Sequence, residues 1–288
     1  MSAGDIATLR DLKISALSER GGLCWPTLIL ANVIFAALVV QTWLAATGVI
    51  PLWAGTLLNT FWMIQGYAPG HEAVHRNIHG RDERFRWING VIGRSVFFCA
   101  LHSFTMHEHV HRMHHAHLND PEKDIDEAVI HAPGFWSAFL RSFLFYPHTK
   151  YHGLRIAKYH PRPKAFLAAV AAELAVPYAI LIALVVMGYG KEVLFLWILP
   201  TILTFSGVVM FVGWLPHHLE KTDNPLRATR VIEAPQTVKG RLATWLYNYH
   251  NYHLVHHLFP AVPWTRLERV YRRGKHVLEK EGALISPL

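Results

Sequence analysis

Apolar residues dominate two long blocks of the chain. From Gly21 to Gly70 the sequence contains no Asp, Glu, Lys or Arg. A single helix over this stretch would be about 75 Å long, more than twice the roughly 30 Å of a hydrocarbon core. The stretch must therefore fold back, and Gly48 and Pro51 supply the turn between membrane spans predicted at 27–46 and 52–67.

The second apolar block begins at Ala165 and is interrupted by Gly188 and Gly190. It predicts spans at 165–187 and 193–215. We therefore expect an all-α integral membrane protein with four transmembrane helices in two hairpins. Its polar regions, 1–20, 69–163 and 217–288, would form a helical cap within a single domain over 1–288.

Composition and charge support this prediction and give it an orientation. The chain is 52% hydrophobic and 17% charged, with a mean hydropathy of +0.19, whereas a soluble domain is about 25% charged. The connection within the first hairpin carries no charge, and the second carries only Lys191 and Glu192. Since basic residues concentrate on the cytoplasmic side, we expect a multi-pass protein with both termini and the polar regions cytoplasmic, in the inner membrane if the protein is bacterial.

The net charge of +8 is then a topology signal and a surface for lipid headgroups. No basic stripe accompanies a nucleic-acid-binding motif, so we expect no nucleic-acid partner.

Histidine is the unusual residue: all 21 copies lie in the predicted cytoplasmic regions or at their edges. His71 and His75 in HEAVH are four residues apart and share a helix face. The pattern HxxHH occurs twice, at His111, His114, His115 and at His253, His256, His257. These spacings are typical of metal chelation. Eight imidazoles are too many for one ion and suit two, although imidazole alone does not select among Zn, Cu, Fe and Ni.

Some assignments stay open at this point. The first pair could equally be His75 and His79, which also read HxxxH, and the fourth span ends in the adjacent pair His217 and His218. Asp120 and Asp124 follow the second cluster and can accept the other ring N–H of a ligand histidine, which would orient it.

The motifs HEAVH, HRMHH and HLVHH, ordered around two hairpins, resemble the three histidine boxes of the membrane fatty acid desaturase and hydroxylase superfamily. The resemblance covers about residues 68–273. It implies two iron ions on the cytoplasmic side, O2 as co-substrate and hydrogen abstraction from unactivated C–H bonds. The implied metal ligands are His71, His75, His111, His114, His115, His253, His256 and His257. His218, or His217 in its place, resembles an additional ligand that some members take from the end of the fourth span.

The stretches GWLPHH, HHAHLNDPEKD and NYHLVHHLFPAVPW look like the carotenoid hydroxylase and ketolase branch, and acyl-lipid desaturases carry versions of the last two. The implied function is desaturation or hydroxylation of a long-chain lipid, with a fatty acyl substrate favoured and a carotenoid ring as the alternative. The sequence has neither a GxGxxG loop nor an HPGG haem motif. The resemblance therefore implies a separate electron carrier, ferredoxin-like or a cytochrome, served by an NAD(P)H reductase.

Two functions of other classes compete with this one. HEAVH is also the HExxH signature of a zinc metalloprotease, with Glu72 as general base. That interpretation leaves both HxxHH motifs unused, and the third and fourth spans offer only Glu173 as a carboxylate ligand. A metal transporter would need polar ligands near the bilayer midplane, where the spans have almost none.

Overall fold

The computed structural model of the protein describes residues 6–218 and 221–288. The predicted cytoplasmic regions include residues 1–5 and 219–220, which lie outside the described residues. The helices are α1 (Leu9–Ser18), α2 (Trp25–Ala46), α3 (Leu52–Val74), α4 (Trp87–Cys99), α5 (Phe104–Ala116), α6 (Glu127–Ile130), α7 (Phe135–Ser142), α8 (Phe145–Ile156), α9 (Pro163–Val186), α10 (Gly190–His217), α11 (Val238–Leu246), α12 (His253–Leu258) and α13 (Leu267–Lys280). Short 3₁₀ turns lie at Glu83–Phe85, Ala157–Tyr159, His250–Tyr252 and Trp264–Arg266.

Three helices in the described part of the chain are long and apolar enough to cross a bilayer: α2, α9 and α10. They coincide with the spans predicted at 27–46, 165–187 and 193–215. The span predicted at 52–67 lies within α3, which is helical but more polar, with buried Asn59 and Gln65. A fourth span therefore stays a prediction.

Helix α3 is central and packs against α2, α4 and α10. In α10 the segment Leu194–Ile198 has π-helical geometry, which interrupts the regular α-helical hydrogen-bond ladder. Here the Thr56 hydroxyl donates to the carbonyl of Phe195 (2.6 Å), and the Asn59 amide donates to that of Leu196 (3.0 Å). The polar residues of α3 therefore join it to its neighbour.

The stretch 87–104, which the apolar pattern predicts as one interfacial helix, forms two elements. Helix α4 ends at Cys99, and Leu101 adopts a left-handed backbone conformation with φ of 50°. This turns the chain, so that α5 begins at Phe104 with the Ser103 side chain accepting from the Met106 N–H. Helix α5 carries the HRMHH motif.

Glu173 of α9 joins this span to the start of α5. One carboxylate oxygen accepts from the Thr105 backbone N–H (2.9 Å) and the Ser103 hydroxyl (2.5 Å). The other accepts from the Thr105 hydroxyl (2.7 Å) and from Arg94 (2.9 Å). Glu173 is thus a structural acceptor at a helix N-terminus, a position that favours negative charge.

The described structure is mostly helical, as predicted, and it also contains two short strands. Strands β1 (Arg230–Glu233) and β2 (Leu284–Pro287) form a small parallel sheet with Arg230 opposite Leu284. Segments of four residues separated by some fifty residues leave no usable sequence periodicity. The sheet supports the third histidine motif, because the Asn251 amide donates to the carbonyl of Ile232 (3.0 Å).

Replacing Glu173 with Ala should destabilise the protein, because the N–H and hydroxyl donors around it would lose their acceptor. Each buried donor left unpaired costs about 1–3 kcal/mol. The measurement is the melting temperature of the purified protein in detergent. Glu192→Ala is the matched control, since Glu192 lies in the first turn of α10 and takes no part in this network. Equal melting temperatures for the two variants would contradict the role given to Glu173.

Candidate metal centre

Nine imidazoles converge in two adjacent groups. The first group consists of His71, His75, His111, His115 and His256. The second consists of His114, His217, His253 and His257. Within each group one ring nitrogen from every residue lies within 4.8 Å of all the others. The side chains come from α3, α5, α10 and α12, or from the residue that follows α3.

Helical geometry divides each HxxHH motif between the two groups. In α5 the i, i+4 pair His111 and His115 belongs to the first group, whereas His114 belongs to the second. In α12 the assignment is reversed: the i, i+4 pair His253 and His257 belongs to the second group, and His256 belongs to the first. The reason is that residues three and four positions along a helix project to either side of the first. The spacing predicts two ions, but only the packing of α5 against α12 shows the division.

Ring nitrogens of the first group face one another at short distances. The Nε2 atom of His111 lies 2.9 Å from that of His75 and 3.0 Å from that of His115, which in turn is 3.1 Å from that of His256. Burial is the main cause that lowers the pKa of His75, to about 3, so its ring is neutral. Neutral imidazoles that aim their lone pairs at a common point are the donor set for a transition metal.

His71 supports the same conclusion. Its side chain is buried, and neither ring nitrogen has a hydrogen-bond partner in the described part of the chain. Its ring centroid lies 4.3 Å from that of His256 and 4.7 Å from that of His111. A buried polar atom without a partner needs an explanation, and a cation at the centre of the group supplies one.

The second group has a similar arrangement and a carboxylate behind it. The Nε2 atom of His253 lies 2.9 Å from that of His217 and 3.1 Å from that of His257. Nδ1 of His114 donates to the buried carboxylate of Asp124 at 2.7 Å. Burial opposes a charge on His114, but the carboxylates of Asp124 and Asp126 outweigh it and raise the pKa of this imidazole above its ordinary value. The contact holds a proton on Nδ1, so that a metal ion which displaces the proton from Nε2 would find this nitrogen oriented as a ligand.

The remaining assignments differ in part from the sequence pattern. The resemblance names His218, but the structure places His217 in the second group. Helix α10 ends at His217, and the exposed ring of His218 stacks on Trp214 with centroids 4.4 Å apart. His79 bonds to Asn89 and belongs to neither group. The first motif therefore contributes His71 and His75.

The two candidate orienting acids also separate. Asp120 accepts from the backbone N–H groups of Glu122 (2.8 Å) and Lys123 (3.2 Å) and shapes the turn. Only Asp124 contacts a histidine ring, and it also accepts from the backbone N–H of Asn119 at 2.9 Å.

Two further histidines border the first group and were not among the predicted ligands. The ring of His250 lies 5.0 Å from that of His71, and the ring of His107 lies 5.8 Å from that of His111. The signal for His107 was present in the sequence, because it precedes His111 by four residues and so shares its helix face.

A mainly apolar cavity reaches the first group between α3, α4, α5, α8 and α10. Its wall includes Met63, Val96, Val110 and Val209, and His111 forms part of its surface. The cavity therefore brings an apolar ligand directly beside the candidate metal ligands.

Glu72 does not take the position of a protease general base. Its carboxylate accepts from the Asn77 amide at 3.1 Å, and it belongs to neither histidine group. Burial raises the pKa of Glu72 to about 8. Together with the structural role of Glu173, this leaves the metalloprotease interpretation without its base and its third ligand.

Comparison with known proteins gives two matches. The family model described as fatty acid desaturase matches residues 47–288. The beta-carotene ketolase of Paracoccus sp. (strain PC1) is 36% identical over 80 residues, which cover 27% of this chain. The match spans 31% of the ketolase, under a third of its length.

Adjacent histidines at the end of α10 offer a direct test of the geometry. His217→Ala should lower the metal bound to the purified protein, because it removes a nitrogen from the second group. His218→Ala should leave the bound metal unchanged, because its ring lies outside both groups. Metal analysis by mass spectrometry measures both, and the opposite order of effects would contradict this ligand set.

Asp124 and Asp120 provide a second matched pair. Asp124→Asn should weaken metal binding about 10- to 100-fold, the usual cost of losing a carboxylate that orients a ligand histidine. Asp120→Asn should have little effect, since Asp120 contacts backbone N–H groups of its turn and the Lys123 ammonium, not a histidine ring. Titration of the metal-depleted protein with Fe²⁺ under anaerobic conditions distinguishes the two, and equal affinities would rule out the role of Asp124.

Proposed function

Because the chain belongs to the fatty acid desaturase family, we propose that it is a membrane oxidoreductase that uses two iron ions and O2 to oxidise an unactivated C–H bond of a long apolar lipid. Family membership confirms the superfamily resemblance of the three histidine motifs, and the ketolase match confirms its carotenoid-branch features. The reaction is of the desaturase or hydroxylase type.

The observation that carries the proposal is the pair of imidazole groups, the first of which borders the apolar cavity through His111. We infer that His71, His75, His111, His115 and His256 hold one ion, and that His114, His217, His253 and His257 hold the other. Iron fits these residues, because imidazole is among its preferred ligands and the facing nitrogens lack other partners. When bound, the two irons supply the activation of O2 and the oxidising equivalents for C–H cleavage.

The side chains around the metal groups bind and shield the substrate. The apolar wall formed by residues such as Val96 and Val209 accepts the hydrocarbon and excludes water, which protects reactive species from side reactions. Asp124 keeps a proton on Nδ1 of His114 and thereby holds the ring in its ligand orientation.

We further propose four membrane spans, with both termini and the histidine groups on the cytoplasmic side. Helices α2, α9 and α10 present apolar side chains such as Val39, Ile182 and Phe211, respectively, on their exposed faces, as expected for contact with lipid. Helix α3 would be the fourth span, with Trp53, Leu57 and Phe61 on its exposed face.

Electrons are proposed to come from a separate ferredoxin-like or cytochrome carrier and its NAD(P)H reductase. An activity assay on the purified protein should therefore contain such a carrier and reductase. Turnover with NAD(P)H alone would contradict this part of the proposal.

A fatty acyl chain is the first candidate substrate, in keeping with the family description. A carotenoid ring is the second, because the ketolase match favours it. A metal transporter is not supported, since both histidine groups lie at one end of the helices and not along their length.

Expression in a host that makes both fatty acids and β-carotene tests the function and separates the substrates. Mass spectrometry of lipids and pigments should show loss of two hydrogens for desaturation, gain of one oxygen for hydroxylation, or gain of one oxygen with loss of two hydrogens for a ketone. His111→Ala, His115→Ala and His256→Ala should each abolish the product and lower the bound iron, because each removes a nitrogen of the first group. His218→Ala is the control that keeps both, and full activity in the three variants would refute the proposal.

A further inference from the structure

The wall of the mainly apolar cavity contains polar atoms of Tyr67, His107, His111, Asp126 and Thr149, and two further polar side chains, His102 and Thr204, also line it. Both are almost fully buried, with 3% and 5% of their surface exposed. Neither belongs to a metal group. The Thr204 hydroxyl oxygen has no hydrogen-bond partner among residues 6–218 and 221–288. Because burying a polar group without a partner costs free energy, these residues need an explanation apart from metal binding.

Lys150 fixes which nitrogen of His102 can act as a donor. The Lys150 ammonium lies 2.9 Å from Nδ1 of His102. Burial lowers the pKa of Lys150 to about 7. In its ammonium form this nitrogen has only N–H donors, so Nδ1 of His102 accepts from it. A neutral imidazole then carries its proton on Nε2, and burial lowers the pKa of His102 well below its ordinary value, so the ring is neutral. The Nε2–H of His102 bonds to no other group in the described part of the chain.

The backbone beside His102 is held in a strained conformation. Leu101 has a φ of 50°, which a residue with a bulky side chain rarely adopts. Its carbonyl accepts from the Lys150 ammonium and from the Tyr146 hydroxyl, both at 2.8 Å. Strain of this kind persists where surrounding contacts over-determine it, and it is common at functional sites. Two donors from α8 therefore maintain the turn that directs His102 to the cavity.

The position of His102 relates it to the site of oxidation. The ring of His107 lies between His102 and the first metal group, with its centroid 5.8 Å from that of His102 and 5.8 Å from that of His111. The buried Nε2 of His107 also lacks a partner in the described structure. A pure hydrocarbon in the cavity would leave these groups unpaired, whereas an oxygen atom on the ligand would pair with them.

We propose that His102, through its Nε2–H, and Thr204, through its hydroxyl, bind a hydroxyl or carbonyl oxygen of the substrate. This inference rests on the proposed function, since it concerns the lipid that occupies the same cavity. It makes the preferred substrate an apolar lipid that already carries an uncharged oxygen a short distance from the carbon to be oxidised. A preceding oxygenation or hydration reaction must then supply it.

The test measures binding and not turnover. Metal-loaded protein in detergent is titrated with radiolabelled 1-dodecanol and, separately, with radiolabelled n-dodecane. The ratio of the two affinities is then compared between variants. Because each ligand partitions into micelles equally in every sample, this comparison cancels the partition. Relative to the wild type, His102→Leu should reduce the preference for the alcohol about tenfold, the value of one hydrogen bond. Lys150→Met should also reduce this preference, because Nδ1 of His102 loses the donor that keeps the ring proton on Nε2. Thr204→Val should reduce it because it removes the hydroxyl.

His152→Leu is the matched control, because it removes an equally buried imidazole from α8 that does not line the cavity. It should keep the wild-type ratio. The proposal is overturned if both His102→Leu and Thr204→Val keep the wild-type ratio of affinities. If His102→Leu does not fold, a wild-type ratio in both Lys150→Met and Thr204→Val overturns it instead. The iron content of the same samples is measured separately. A protein that binds no iron contradicts the proposed function, whereas an unchanged affinity ratio contradicts only the recognition of the substrate oxygen.

Discussion

The fold depends on one constraint: nine buried or half-buried imidazoles must present nitrogen lone pairs to two small volumes. A buried nitrogen without a partner is costly, and a set of nitrogens that face one another is worse, because neutral rings cannot all donate. The proposed pair of cations would remove this cost, and metal binding would then contribute to the folding free energy. The helices that carry the rings have to meet with the accuracy that coordination requires, which explains why so many polar contacts anchor them.

Those anchoring contacts are distributed around the site. The polar residues of α3 bond to carbonyls in the π-helical part of α10, Glu173 of α9 binds the first turn of α5, and the small parallel sheet supports the segment before α12. In a soluble protein, apolar burial would supply most of this positioning. In a membrane the driving force between helices is weaker, and packing and interhelical hydrogen bonds take a larger share.

Much of this architecture could be predicted from local sequence. The apolar blocks locate three helices to within a few residues, and the HxxHH spacing indicates chelation and two ions. The choice between His217 and His218 could not be predicted, because these neighbours differ only in where α10 ends. The pairing of Lys150 with His102 and of Glu173 with α5 joins residues 48 and about 70 positions apart, and the strands are too short to show a period. Each feature that could not be predicted depends on a contact between residues that are distant in sequence, or on the exact end of a helix.

The division of each HxxHH motif has a mechanical consequence. Because α5 contributes nitrogens to both groups, and α12 does the same, the spacing of the two coordination sites follows from the rise of about 1.5 Å per residue along a single helix. If two ions bind as proposed, the ligands that α5 gives to both would move together when this helix slides or tilts, and the same holds for α12. Covalent geometry would thus keep the ion separation steadier than helix packing alone could.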